Sequence, residues 1–165
     1  MGKKGMGLIW STFSNLLLYG ETIDLMAAHK AGITIALGSD WTPTGSKSVL
    51  EEVKIARKYI RKNKLERVFN DEYLYKMITE NSAKLIGHLE KDPYDGHHGI
   101  GKVAIDAVGT FIVVKESYTN PHKNLILSKA KDINLMVIKG SPLYGNIDYL
   151  KLFEKNKNIE KMPKY

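Results

Sequence analysis

A carboxylate follows closely on a short apolar run that predicts a buried strand. Residues 33–37 (ITIAL) are too few for a helix and lie between Gly32 and Gly38, a pattern typical of a strand covered on both faces in a parallel sheet. Asp40 stands just past the carboxyl end of that strand. In parallel α/β folds chemistry is located at this edge, because loops converge there while the strands hold them rigid. Asp40 is therefore a candidate functional group; alternatively, it only ends the strand or caps a turn.

Aromatic and polar side chains are predicted to surround the same edge. Trp10, Ser14 and Asn15 lie at and after the end of a second short apolar strand, and Trp41 follows Asp40. The rings would give a pocket its apolar wall, and the polar groups would orient a planar, nitrogen-containing substrate. The alternative is that the tryptophans pack in the core, which is the preferred interpretation for Trp10, and that Asn15 stabilises a turn.

The elements that must position these residues are predicted from periodicity and capping patterns. A strand, a helix and a strand in succession predict a βαβ unit with parallel strands, and Val49, Val53, Ala56 and Ile60 predict the inner face of the next helix. The expected elements are a strand at 8–10, a loop at 11–15, a helix capped by Thr22 and ended by Gly32, helices opened by Ser48, Asn70 and Asn81, with the last ending near Gly87, a β-rich run at 107–114, a helix from Asn120-Pro121 to Ala130, a strand at 133–138, a turn at Lys139-Gly140, a strand at 143–144, and a helical tail after Asn146.

Two sequence runs carry a resemblance to a known family. They are WSTFSNLLLYG at residues 10–20 and GSDWTPTGSK at residues 38–47. In content, order and spacing they resemble the last two barrel strands of the metal-dependent amidohydrolase superfamily, in its cytosine-deaminase and chlorohydrolase-like branch. The resemblance extends more weakly to about Tyr144.

The resemblance implies a fold, a domain organisation and an activity. The expected fold is α/β, the C-terminal fragment of a (β/α)8 TIM barrel (its last two strand-helix units) over residues 1–90, part of a small β-sandwich over 91–145, and a charged helical tail over 146–165. The implied activity is hydrolysis of non-peptide carbon-nitrogen bonds in a small nitrogen-containing substrate, as in deamination or chlorohydrolase-like displacement. Asp40 would be both metal ligand and general base, since a divalent ion such as zinc or iron makes hydroxide available and a carboxylate accepts the proton.

The resemblance also implies that metal ligands are missing. A catalytic zinc takes about three protein ligands, and in the family the others come from earlier strands. The five histidines match none of those positions: His29, His88, His97, His98 and His122. The chain therefore resembles the C-terminal part of an enzyme, as from a truncated or split reading frame. It is expected to be inactive alone and to associate with the N-terminal remainder of the barrel or with itself. The alternative function is that of a non-catalytic fragment that only completes a barrel.

Composition and local motifs bear on other kinds of function and on the location of the protein. The net charge of +7 suggests a basic nucleic-acid-binding module, but the lysines are scattered and interleaved with glutamates, which favours a solvated surface. Residues 44–48 resemble a phosphate-binding loop with the wrong glycine spacing, and His97-His98 is more typical of a solvated turn than of a metal pair. With no cysteine, any metal must be held by nitrogen and oxygen ligands. With no apolar run long enough for a membrane span and no signal-peptide core, the sequence predicts a cytoplasmic protein.

Overall fold

The computed structural model describes residues 5–88, 99–105 and 107–153 of the chain. The predicted boundary at residues 91–98, the pair His97-His98 and the tail beyond Phe153 lie outside these ranges. The elements are β1 Gly7–Trp10, α1 Thr12–Tyr19, α2 Leu25–Lys30, β2 Thr34–Leu37, α3 Val49–Lys62, α4 Asp71–Met77, α5 Glu80–Leu85, β3 Phe111–Val114, α6 Pro121–Leu127, a 3-10 turn at Ala130–Asp132, β4 Ile133–Ile138, β5 Ser141–Gly145 and α7 Ile147–Phe153. None of the helices in these ranges is long and apolar enough to cross a membrane.

The predicted βαβ unit is confirmed. Strands β1 and β2 pair in parallel, with Leu8 opposite Ile35 and Trp10 opposite Leu37. Gly32, with a φ of +69°, occupies the left-handed position expected between α2 and β2. The ends of the two strands therefore meet at one edge, where α1 begins after β1 and the Asp40 loop begins after β2.

The loop predicted at residues 11–15 is wrong, because α1 begins at Thr12. The polar residues between 11 and 15 are typical of a loop, and the side chain of Ser11 does not cap the helix. The helix start is stabilised from elsewhere in the fold, since the backbone N–H of Phe13 donates to Oε1 of Glu52, on α3, at 3.0 Å. A cap supplied across the fold leaves no signal in the local sequence.

Three predicted helix caps are confirmed and two are wrong. Ser48, Asn70 and Asn120 each accept the expected backbone N–H in the first turn of α3, α4 and α6. Thr22 does not cap α2, because Asp24 accepts the N–H of Ala27 at 2.9 Å.

Asn81 does not cap α5 either, since it lies inside that helix. Its side-chain Nδ2 instead donates to the carbonyl of Ile35 at 2.7 Å. The N–H of Gly38 points to β1, where it donates to Trp10. Backbone groups alternate along a strand, so the carbonyl of Ile35 lies on the opposite, outer edge of β2, and Asn81 covers it.

The main core lies between the parallel sheet and the helices. Val53, Ala56 and Ile60 of α3 are buried as predicted, whereas Val49 is 39% exposed. Val49 lines a cavity of about 1030 Å³ between α3 and the second sheet. The other buried apolar side chains of this core are Trp10, Leu25, Ile35, Leu37, Phe69, Leu74, Met77 and Ile126.

A paired charge joins α3 to α4 at the margin of the core. Arg57 donates to both carboxylate oxygens of Asp71, at 2.6 and 2.9 Å. This hydrogen bonding holds the pKa of Asp71 below its usual range, so the carboxylate stays ionised beside its partner. The bidentate geometry fixes the direction of α3, the helix that passes beneath the Asp40 loop.

The second sheet is antiparallel, in the order β3-β4-β5. The turn predicted between β4 and β5 is confirmed, with φ of +50° at Lys139 and +78° at Gly140. Helix α6 ends at Leu127 and not at Ala130, because Ser128 is extended. These strands form the one described sheet of this region, and its membership in a sandwich stays a prediction.

We expect the isolated chain to self-associate through the parallel sheet. Within the described ranges no third strand pairs with β1 or β2, and Ile9 is 54% exposed on the face away from the helices. Sedimentation velocity at increasing concentration should show growing oligomers, and Ile9→Lys should reduce them. Ile138→Lys, on an exposed position of the other sheet, is the matched control. A monomer at all concentrations with a cooperative melt would contradict this prediction.

Candidate functional site

Asp40 lies in the loop that follows β2, with its side chain exposed to solvent. Its φ of +60° places it in the left-handed region, which costs free energy for residues other than glycine but is tolerated best by aspartate and asparagine. Such strain persists only where surrounding structure holds it, and it occurs often at functional sites. The carboxylate is therefore held at the predicted edge of the sheet in a conformation that the free loop would not prefer.

The backbone N–H of Trp41 donates to Oδ1 of the Asp40 carboxylate at 2.8 Å. Hydrogen bonding with the Ser14 side chain, and secondly with the Trp41 N–H, lowers the pKa of Asp40 from its usual value. Asp40 is consequently ionised at neutral pH, the state in which a carboxylate binds a cation.

The loop around Asp40 is closed by backbone hydrogen bonds. The N–H of Ser46 donates to the carbonyl of Ser39 at 3.0 Å, and the carbonyl of Trp41 accepts from Thr44 and Gly45. A Cβ at Gly45 would lie 2.0 Å from the Ser39 oxygen, so only glycine allows this closure. Residues 39–46 thus form one compact turn that presents Asp40 at its outer side.

The other predicted pocket residues have distinct surroundings. Ser14 is buried beneath Asp40, while Trp41 is 69% exposed beside it. Trp10 is buried in the core, stacked edge-on against Tyr59, as the packing interpretation predicts. Asn15 is half-buried. The structure therefore brings Ser14 and Trp41 together with Asp40, and their contact with a substrate stays a prediction.

Asn15 belongs to a hydrogen-bonded chain with two other side chains. Nε1 of Trp10 donates to the hydroxyl of Thr22 at 2.7 Å, and that hydroxyl donates to Oδ1 of Asn15 at 3.0 Å. The carbonyl oxygen of Asn15 is thus engaged within the fold. This arrangement agrees with the stabilising role that the sequence left open for Asn15.

Glu52, a wholly buried carboxylate on α3, is not among the site residues predicted from the sequence. It accepts hydrogen bonds from the N–H of Phe13 and the hydroxyl of Ser46. Glu52 stands three residues after Val49 and four before Ala56, so it falls on the stripe of α3 predicted to face inward. A charged residue on an apolar helix face was the signal that could have identified it.

The described residues offer one candidate carboxylate ligand, Asp40. Among them no three histidine or carboxylate side chains lie close enough together to hold a metal ion. The ring of His29 packs edge-on against Phe69 and Tyr73, which indicates a structural role for this histidine. The chemistry of Asp40 fits a metal ligand, because its carboxylate is ionised and exposed.

Comparison with solved structures identifies the fold. The chain is similar to an adenosine deaminase from Xanthomonas campestris with bound zinc (17% identity, TM-score 0.69), covering 91% of this chain and 36% of that one. It is also similar to E. coli guanine deaminase (16%, TM-score 0.67, covering 88% and 35%) and to a zinc-complexed atrazine chlorohydrolase from Arthrobacter aurescens TC1 (18%, TM-score 0.64, covering 88% and 32%).

These comparisons confirm, at the level of the fold, the resemblance to metal-dependent amidohydrolases seen in the sequence. The chain spans about a third of the length of each of these proteins. Comparison with protein families and with curated protein sequences gives no match.

We expect Gly45→Ala to open the Asp40 loop. The added methyl group would overlap the Ser39 carbonyl oxygen, so the Ser39 to Ser46 closure must break, at a cost of about 1–3 kcal/mol in the free energy of unfolding. Quenching of Trp41 fluorescence by acrylamide should change with it. Gly32→Ala is the control, because its Cβ meets nothing within 4 Å and it tests left-handed strain alone. An unchanged Trp41 signal in Gly45→Ala would refute the closure.

Proposed function

We propose that this chain is the C-terminal part of a metal-dependent amidohydrolase that hydrolyses non-peptide carbon-nitrogen bonds in a small nitrogen-containing substrate, as deaminases do, or displaces chloride as chlorohydrolases do. Residues 1–90 supply barrel elements and residues 91–145 part of a β-sandwich, in a cytoplasmic enzyme. The observation that carries the proposal is the ionised Asp40 carboxylate, held in a left-handed turn at the carboxyl edge of a parallel sheet. The likeness to zinc-bound deaminase and chlorohydrolase folds supports it.

Asp40 has two roles in this proposal. A divalent ion, zinc or iron, when bound, lowers the pKa of a coordinated water toward neutrality. Asp40 would offer one carboxylate oxygen as a ligand and would take the proton of the attacking water. In deamination it would pass that proton to the leaving nitrogen, whereas chloride would leave as the anion and the proton would go to solvent. The hydrogen bond from the Trp41 N–H would keep the carboxylate oriented between these steps.

The surroundings of Asp40 suit a flat polar substrate. The exposed indole of Trp41 provides an apolar face beside the carboxylate, and Ser14 lies beneath it. Asn15 follows Ser14 on α1, and a contact between its amide group and the substrate is part of this proposal. Aromatic surface with few oriented polar groups is the usual composition of a small-molecule site.

A second candidate function is the completion of a barrel without catalysis. The described residues hold no metal cluster, and β1 and β2 have no third partner strand within these ranges. A chain that spans about a third of its structural relatives would then contribute strands and helices to a partner that carries the remaining ligands.

The catalytic proposal is tested by Asp40→Asn. Asparagine keeps the size of the side chain and tolerates the left-handed conformation, but it loses the charge and the proton-accepting oxygen. In the protein co-expressed with a polypeptide that supplies the preceding barrel strands, release of ammonia or chloride from amino- and chloro-substituted ring compounds should fall about 10²–10⁴-fold. Asp24→Asn is the matched control, since asparagine also caps a helix. Equal activity in Asp40→Asn and in the unaltered protein would reject the role of Asp40.

Zinc content separates a self-contained enzyme from a contributing part. We expect elemental analysis to find zinc bound in equal amount to the co-expressed assembly but not to the 165-residue chain alone, because three protein ligands are needed and one is described. Loss of the assembly's zinc in Asp40→Asn would support ligation. Stoichiometric zinc in the isolated chain would contradict the split site.

A further inference from the structure

Glu52 joins the two segments that carry the candidate site. It lies on α3, is wholly buried, and uses both carboxylate oxygens. Oε1 accepts the N–H of Phe13 at 3.0 Å, and Oε2 accepts the hydroxyl of Ser46. A carboxylate in the interior is costly unless its oxygens are hydrogen-bonded, and here each oxygen has a partner on a different segment.

Each of these partners is directly connected to a group at the site. Phe13 precedes Ser14, so the bond from its N–H fixes the first turn of α1, which carries Ser14. Ser46 closes the loop on the other side, because its own N–H donates to the Ser39 carbonyl next to Asp40. The segment that carries Ser14 and the loop that carries Asp40 are therefore both held by one side chain.

We infer that Glu52 is a positioning residue, which clamps the start of α1 to the loop of residues 39–46 and so fixes the position of Asp40 relative to Ser14. The meaning of this clamp for catalysis rests on the proposed function, but its effect on the loop does not. A carboxylate suits the task because it accepts from two directions at once, whereas an apolar residue of similar size would leave the Phe13 N–H and the Ser46 hydroxyl buried without partners.

Four variants separate this role from a general contribution to stability. Glu52→Gln keeps an oxygen for Phe13 and an amide that donates to the Ser46 hydroxyl oxygen, so it should restore the clamp. Glu52→Met fills similar space without either bond, and Ser46→Ala removes only the bond to the loop. Glu51→Met is the control, since Glu51 is the exposed neighbour on the same helix.

The experiment is backbone ¹⁵N relaxation on the full chain, at a concentration at which sedimentation velocity shows the monomer, with thermal melting of each variant. In the unaltered chain and in Glu52→Gln and Glu51→Met, order parameters for residues 40–45 should stay near the rigid value of about 0.85. In Ser46→Ala and Glu52→Met they should fall below about 0.6, while residues 53–60 of α3 remain rigid. The Trp41 amide shift should move in the same two variants, because its N–H bonds the Asp40 carboxylate.

The inference is overturned if Ser46→Ala leaves the loop ordered, or if Glu52→Gln loosens it as much as Glu52→Met. Ser46→Ala keeps the test decisive even if Glu52→Met does not fold, because it leaves the core of α3 intact. In the co-expressed assembly Ser46→Ala should lower kcat about 10²-fold with little change in KM, the effect of a misplaced catalytic group. A loosened loop in an assembly with no hydrolase activity at all would uphold the clamp while rejecting the proposed function.

Discussion

The parallel pairing of β1 with β2 is the constraint on which the candidate site depends. It aligns Trp10 with Leu37, so the chain leaves both strands at the same level of the sheet. From that level β1 leads into the helix that carries Ser14, and β2 leads into the turn that carries Asp40. A shift of the register by one residue would turn the side chains of one strand to the opposite face and separate these two groups.

Beneath this edge, α3 supplies most of the support. Its apolar side chains pack against the sheet, its Arg57 is tied to α4 through Asp71, and its Glu52 reaches the two segments above. The helix thus combines a packed face, which fixes distance, with hydrogen bonds, which fix direction.

Local signals predicted the parts of this architecture that local forces determine. The caps at Ser48, Asn70 and Asn120 involve an N–H within the next three residues, and the turn at Lys139-Gly140 depends on its own backbone angles. The same holds for the strands at the site and for Asp40, whose place followed from an apolar run and two glycines.

The errors occur where a distant residue decides the structure. Helix α1 begins at Thr12 because Glu52 caps it from across the fold, and Asn81 is drawn into α5 with its amide on β2. Thr22 bonds the Trp10 indole and Asn15 instead of a helix end. Each of these polar side chains could bond a nearby helix end, and only the tertiary structure shows which atom it does bond.

The amide of Asn81 has a consequence for how another strand can join this sheet. It already occupies the outward carbonyl of Ile35, one of the acceptors that an incoming strand would use along β2. An incoming strand must therefore either displace that amide, exchanging one hydrogen bond for another at little net gain, or pair with β2 in a register whose hydrogen bonds begin at Leu37. In both cases Asn81 limits the registers in which a strand can pair with this edge of β2.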